Sequence, residues 1–445
     1  MIETSTPVEL AEFVAKRLKN AKIKQDKPSQ EILEDMFNVL FYTSLQTEEG
    51  QFIKVTVTLY DHEYEAEQAE DDKSHDDWKY YPFKDPIPFT EKSLTKLSKA
   101  ADPWSSSLAV YYDEEGALFI TGMIDQAIHF QSFLNFERSE KPTQPGILQV
   151  MVNGVGMLNV IFDYEPLASL NKSVLTKKYT DALNNGPINV FLKEGTATMK
   201  RWINDFIRRD FKEFRPDEWN SAIDELYIQT ISRILLKIQN YRHGGTLLIT
   251  DDYSTDVKPK YELSYNRLEM AIRHLLRASI LHNSVSDDLE KLENDNKRYV
   301  SMDDYQDYSE SITEMDEAEN ELKGAVRFVA SLSCVDGLIL LSNRLIVKSF
   351  GTVITRKTLP DKVFVSETGV ARLGLKPIDP SHFGTRHQSM FAYCYQHSNS
   401  VGFVVSQDGE IRAVKCIDGQ VIIWENIKVH QFLRSKKLLR PFAIR

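Results

Sequence analysis

Two short stretches near the end of this 445-residue chain carry residue types that could do chemistry. The first is Asp336-Gly337-Leu338-Ile339-Leu340-Leu341. It sets a carboxylate and a glycine at the mouth of an apolar run that reads as a buried strand. The second, Gly384-Thr385-Arg386-His387-Gln388, sets a hydroxyl, a guanidinium and an imidazole at the start of a helix. Glycine lets a backbone approach a ligand closely, and a helix N-terminus offers N–H groups to an anion. Arg and His beside such groups suit a polyphosphate. Each stretch also has a plain structural reading. Asp336-Gly337 could be a turn before a strand, Gly384 a turn glycine, Thr385 an N-cap, and Arg386 and His387 surface residues of the helix. The two stretches together favour the nucleotide reading.

The totals bound the rest. A hydrophobic fraction of 42% fits packed cores, and 445 residues suffice for two or three domains. No apolar run approaches the length of a membrane span, and Met1-Ile2-Glu3-Thr4-Ser5 has no signal-peptide pattern. Three distant cysteines, Cys334, Cys394 and Cys416, point to a reducing compartment, the cytoplasm, rather than a disulfide framework. From Gly324 to Arg445 there are 17 Lys and Arg against 8 Asp and Glu, while the preceding residues carry 37 basic and 57 acidic ones. A basic end on an acidic body suggests an anionic ligand at that end, or two parts that attract each other. The tract Asp61–Asp77 holds nine carboxylates with His62 and His75. It reads as a solvated loop before it reads as a metal site.

The elements that must position the candidate residues form an α/β pattern. Thr6-Pro7 opens a helix and a second follows Ser29. Ile53–Leu59 alternates as a half-buried strand, and paired strands are expected around Asp113-Glu114-Glu115-Gly116 and Asn153-Gly154. Helices are expected over Ala197–Phe211 and Pro216–Tyr241, then a glycine turn, His243-Gly244-Gly245, into a buried strand. That strand reads as the end of an N-terminal α/β domain, residues 1–255. Another helix is expected over residues 262–283. Between Asp287 and Glu321 there are 14 acidic and 3 basic residues, so residues 256–316 read as an acidic helical connector. Residues 317–445 then form a second α/β domain, a mixed central sheet of about six strands flanked by helices. His382, His397 and His430 read as structural or loop histidines.

The order of helix, Asp336-Gly337, Gly384-Thr385-Arg386-His387, and Val404-Val405-Ser406-Gln407-Asp408-Gly409 resembles the diadenylate cyclase (DAC) domain. The resemblance covers roughly Glu317 to Ile427. It implies condensation of two ATP molecules into cyclic di-AMP and two pyrophosphates, with Mg²⁺ or Mn²⁺ as cofactor. It implies that Asp336 orients or deprotonates the ribose 3′-hydroxyl and faces the metal. Gly337 and Leu338 would lie against the nucleotide. Gly384, Thr385, Arg386 and His387 would bind phosphates, and Ser406 would contact phosphate from the next strand. It also implies a face-to-face homo-oligomer, no membrane and no nucleic acid as partner, and a preceding sensor domain of bacterial type. Three positions depart from the family pattern. Leu338 stands where alanine is usual, Gln388 where a second arginine is usual, and Gln407-Asp408 where paired glutamates are usual. Gln388 carries no charge, so an active cyclase and a nucleotide-binding sensor without turnover both remain open.

Overall fold

The structure, a computed structural model, describes residues 4–19, 27–60, 78–101, 105–126, 147–162, 165–211, 215–252, 256–294, 300–366, 374–407 and 409–429. The tract Asp61–Asp77, Asp408 and His430 lie outside these residues. The described residues divide into two compact units, one ending at Tyr179 and one beginning at Thr180.

In the first unit the helix starts are those the capping residues dictate. Helix α1 (Pro7–Leu18) follows a capping box in which Glu9 Oε2 accepts from Thr6 N at 2.7 Å and Thr6 Oγ1 accepts from Val8 N at 3.3 Å. Helix α2 (Gln30–Ser44) follows Ser29, whose Oγ accepts from Ile32 N at 3.3 Å. Strands β1 (Thr47–Glu48) and β2 (Gln51–Phe52) form a small ribbon. An eight-stranded sheet is built from β3 (Val55–Leu59), β4 (Trp78–Pro88), β5 (Ser106–Tyr112), β6 (Leu118–Gln126), β7 (Leu148–Gly154), β8 (Met157–Phe162), β9 (Glu165–Asn171) and β10 (Val174–Thr176). Helix α3 (Glu91–Leu97) lies between β4 and β5 in the chain. The sheet order is β10-β9-β8-β7-β3-β5-β6-β4, with β3 and β5 parallel. Val55, Val57 and Leu59 enter the same core as Leu10, Val14, Phe37 and Leu40. Strand β3 differs from the half-buried expectation because its polar face is buried too. There Thr58 Oγ1 donates to Ser107 Oγ at 2.7 Å and accepts from Gln149 Nε2 at 3.0 Å. Hydrogen bonds of this kind are what let hydroxyls leave water.

The second unit contains α4 (Gly186–Asp210), α5 (Pro216–Tyr241), β11 (Gly245–Thr250), β12 (Val257–Lys258), β13 (Tyr261–Tyr265), α6 (Arg267–Asn294) and α7 (Met302–Ser331). It continues with β14 (Leu338–Leu341), β15 (Val347–Ile354), β16 (Val363–Ser366), β17 (Lys376–Ile378), α8 (Thr385–Gln396), β18 (Ser400–Val405), β19 (Ile411–Ile417) and β20 (Gln420–Trp424). Its mixed sheet has ten strands in the order β12-β15-β14-β11-β18-β19-β20-β16-β17, with β13 also on β15. Helix α8 covers one face, where Met390, Phe391 and Tyr393 meet Leu248, Leu338, Val404 and Val414. Helix α5 covers the other, where Ile238 reaches the backbone at Gly245.

Several expectations are corrected here. The strand expected to end an N-terminal domain near residue 255 is β11, the centre of the second sheet. It pairs in parallel with β14 and antiparallel with β18. The expected connector, residues 256–316, supplies β12, β13 and most of an antiparallel helix pair. Arg267–Glu321, His282–Ser311 and Tyr305–Glu293 contacts join α6 to α7. The helix expected from residue 262 begins at Arg267, because Tyr261–Tyr265 pairs with β15. Helix α4 begins at Gly186, ahead of the expected Ala197, with Pro187 in its first turn. Leu345 sits in the β14–β15 turn at φ 58°.

The central place of β11 makes a prediction. A polypeptide of residues 180–445 should be soluble and melt cooperatively. One of residues 256–445 should aggregate, because β14 and β18 both lose their shared partner and become open edges. Solubility and thermal unfolding of the two fragments check this. Cooperative melting of the shorter one would return the boundary to residue 255.

Candidate functional site

The strand register brings three chain segments to one end of the second unit's sheet. Thr246 pairs with Leu338 and Gly245 with Val405. Gly244, Asp336 and Ser406 therefore leave the sheet at the same end. Helix α5 stops there in a left-handed cap, with Arg242 at φ 56° and Gly244 at φ 65°.

Two glycines are required by close approach. Gly337 has φ 123°, and a Cβ on it would lie 2.4 Å from the backbone carbon of Gly351. A Cβ on Gly244 would lie 2.7 Å from Arg386 Nη1 and 2.8 Å from the Val405 carbonyl oxygen. Only glycine fits either position without displacing backbone.

Arg386 spans the mouth so formed. Its Nη1 donates to the His243 carbonyl at 3.2 Å, and its Nη2 lies 3.9 Å from Asp336 Oδ1. The Asp336 carboxylate is fully exposed. An exposed pair at that distance is worth under about 1 kcal/mol, so the guanidinium can turn to an anionic ligand at little cost. Helix α8 is capped by Gly384 without a side-chain hydrogen bond, and Thr385 is exposed at its first turn. Its leading N–H groups lack a side-chain acceptor.

The remaining candidate residues have other surroundings. His387 is half-buried between Phe383 and Phe391. Burial, with Arg412 and Arg386 beside it, pushes its imidazole down to about 4. The ring is neutral near pH 7, and Nε2 accepts from Arg412 Nη1 at 3.3 Å. His387 thus brings no positive charge to a phosphate. The Gln388 amide donates to the Phe383 carbonyl at 2.6 Å and lies 3.5 Å from that of Ser381, tying down the preceding loop. Leu338 is buried in the core rather than turned to the mouth. Ser406 Oγ accepts from Glu410 N at 3.0 Å inside the β18–β19 turn, which leaves its O–H free to donate. Among the described residues, no three His, Cys, Asp or Glu side chains are grouped to hold a metal ion.

Sequence reasoning missed His243 and Gly244 as a wall of this mouth, Gly351 as the partner of Gly337, and Arg412 behind His387. Arg412 is held by Glu410 Oε2 at 2.5 Å and Glu425 Oε1 at 3.1 Å. Its place in an alternating strand gave no signal. The glycine turn was visible, and only its membership of the second sheet was not. The three cysteines are free, Cys334 exposed and Cys394 and Cys416 buried. His397, read as structural, is held between Asp252 Oδ2 at 2.9 Å and Asp256 Oδ2 at 3.0 Å, at the opposite end of β11.

In comparison with known proteins, residues 22–125 match a family model described as the probable sensor domain DACNV. That match lies within the first unit. No curated protein and no solved structure matches the chain. No helix among the described residues is long and apolar enough to cross a membrane.

Two predictions follow from the geometry. Gly337→Ala should lower the unfolding free energy by about 2 kcal/mol or more, from backbone collision and positive φ together. Gly384→Ala, at an extended φ of −66° with open space around an added Cβ, should cost under about 1 kcal/mol. Denaturant melts of the two variants check the contrast. The His387 ring should titrate near pH 4 by NMR. Because the folded value is lowered from 6.5, its contribution to stability is present above pH 6.5 and is lost as pH falls toward 4. A His387 resonance titrating near 6.5 would overturn this.

Proposed function

We propose that the second unit binds ATP at the Asp336–Arg386 mouth and condenses two ATP molecules into cyclic di-AMP and two pyrophosphates. The observation that supports this most is the Arg386 guanidinium spanning His243 and Asp336 at a glycine-lined sheet end. A nucleotide needs close backbone approach for its phosphates, one mobile positive charge and one exposed carboxylate, and the mouth has these three. In the reaction a ribose 3′-hydroxyl oxygen bonds the α-phosphorus of the other ATP, the bond to the bridging oxygen breaks, and pyrophosphate leaves. Asp336 would take the hydroxyl proton. Arg386 would offset charge on the phosphate oxygens, with the Thr385 and Arg386 N–H groups at the start of α8 and the Ser406 hydroxyl as further donors.

A Mg²⁺ or Mn²⁺ ion fits Asp336 as its one protein carboxylate, since Mg²⁺ commonly takes its other ligands from phosphate and water. When bound it would neutralise phosphate charge. One mouth holds one ATP, so the active form would be two copies meeting through this unit. The sensor match in the first unit supports the reading, because the resemblance to the DAC domain implies a sensor domain ahead of it. The first unit would control that meeting.

Gln388 favours a second reading, nucleotide binding without turnover. Its amide is engaged with Phe383, so neither charge nor a free donor stands where the family has an arginine. Purified protein incubated with ATP and Mn²⁺ or Mg²⁺, with products resolved by mass spectrometry, separates the two. Cyclic di-AMP from the wild type and none from Asp336→Asn is the expected result. ATP bound but returned unchanged at high protein concentration would leave the sensor reading. If the missing charge is what limits the reaction, Gln388→Arg should raise turnover by about tenfold, the scale of one charge-assisted hydrogen bond.

A further inference from the structure

We propose that His397, Asp252 and Asp256 form a proton-operated clasp at the far end of α8, closed while the His397 ring carries two N–H groups and opened when it gives one up. The ring joins three segments. Its Nδ1 lies 2.9 Å from Asp252 Oδ2, just past the end of β11, and its Nε2 lies 3.0 Å from Asp256 Oδ2, just ahead of β12. His397 is itself the C-cap of α8. A carboxylate oxygen only accepts, so both ring nitrogens must donate, and only the imidazolium has two N–H groups. A neutral ring turns a lone pair toward one of the two carboxylates, and that contact changes from attraction to repulsion.

Burial makes the change consequential. The His397 side chain is only 12% exposed, so water cannot fully replace a lost partner there. Asp256 is 23% exposed and Asp252 56%, so Asp252 is the arm that water can take and that lets go. The neighbouring groups steady the ring without competing for its nitrogens. The Tyr393 ring lies 4.5 Å from that of His397, and its hydroxyl donates to the Asp252 carbonyl at 2.9 Å. The charged groups of the flanking segments are turned to other partners. Arg356, after β15, donates to Gln396 Oε1 at 3.3 Å, and Lys415 of β19 donates to the Ser398 carbonyl at 2.9 Å. Asp251 accepts from Asn343 N at 3.0 Å. Strand β12 hangs from the same corner, since Thr355 N donates to the Asp256 carbonyl at 2.8 Å and Val257 pairs with Ile354. Helix α8 carries Thr385 and Arg386 at its other end, so the clasp fixes the footing of the helix that serves the mouth. It does not depend on what the mouth binds.

Nitrogen NMR of the His397 ring in the full chain reads the proton directly. The wild type should show two protonated ring nitrogens at about pH 5 and one at about pH 8, the range over which an imidazole commonly changes charge. Over that range the stability that His397 contributes, read as the Tm difference from His397→Gln, should shrink as pH rises. The β12 amides should exchange about tenfold faster at the upper pH after correction for intrinsic rates, the scale of one charge-assisted hydrogen bond. Asp252→Asn covers any misfolding at His397, because that side chain is more than half exposed. Its amide can accept from a charged ring or donate to a neutral one, so it should keep β12 protected at both pH values. A ring with one protonated nitrogen at about pH 5, or with two at about pH 8, would overturn the proposal. So would a Tm difference that does not change with pH, or the same pH dependence of β12 exchange in Asp252→Asn as in the wild type.

Discussion

The second unit depends on one pairing, that of β11 with β14 on one side and β18 on the other. Every residue from Gly245 to Thr250 is buried in that arrangement. A strand enclosed on both edges and both faces fixes register strongly, because a slip by one residue would turn Leu247 and Leu248 to the wrong faces. The register decides where chemistry can occur. It brings the α5 cap, the Asp336-Gly337 turn and the β18–β19 turn to a single edge, and Gly337 against Gly351 closes the gap that a side chain would hold open.

Electrostatics then separates residues that look equivalent in sequence. Arg386 and Arg412 both lie beside His387, but Arg412 is enclosed by Glu410 and Glu425. Its charge is spent within the protein. Arg386 has one carbonyl and one distant, exposed carboxylate, so its charge is the one available at the mouth. Two guanidiniums beside a half-buried ring also explain why His387 cannot be a third cation. The Gly-Thr-Arg-His run therefore offers a ligand one charge and a set of backbone donors, and its histidine acts through packing against Phe383 and Phe391.

Local signals were legible where physics is local. Thr6 and Ser29 announced their helices through capping, Pro216 opened α5, and the apolar runs at Leu338 and Val401 read as buried strands. Gly337 announced a tight approach without saying to what. What could not be read was membership. A short apolar run such as Gly245–Thr250 declares burial, but its partners lie far along the chain and nothing in the run names them. Tyr261–Tyr265 misled for a related reason. Leu263 and Leu268 fit a helical stripe, and the strand exists because β15 offers an edge to pair with.

Helices α5 and α7 are the supports of the mouth. Helix α5 runs from Lys237 through Gln239, whose amide is hydrogen-bonded to the Gly409 carbonyl in the turn that carries Ser406, to His243 and Gly244. Helix α7 runs from Lys323 and Arg327 into the Leu332–Cys334 turn and then Asp336. The apolar residues Ile234, Ile238, Val326 and Val329 are fully buried and hold these two helices in place. The last turns of α5 and α7 are thus held by apolar contact, and the mouth that they frame rests on it.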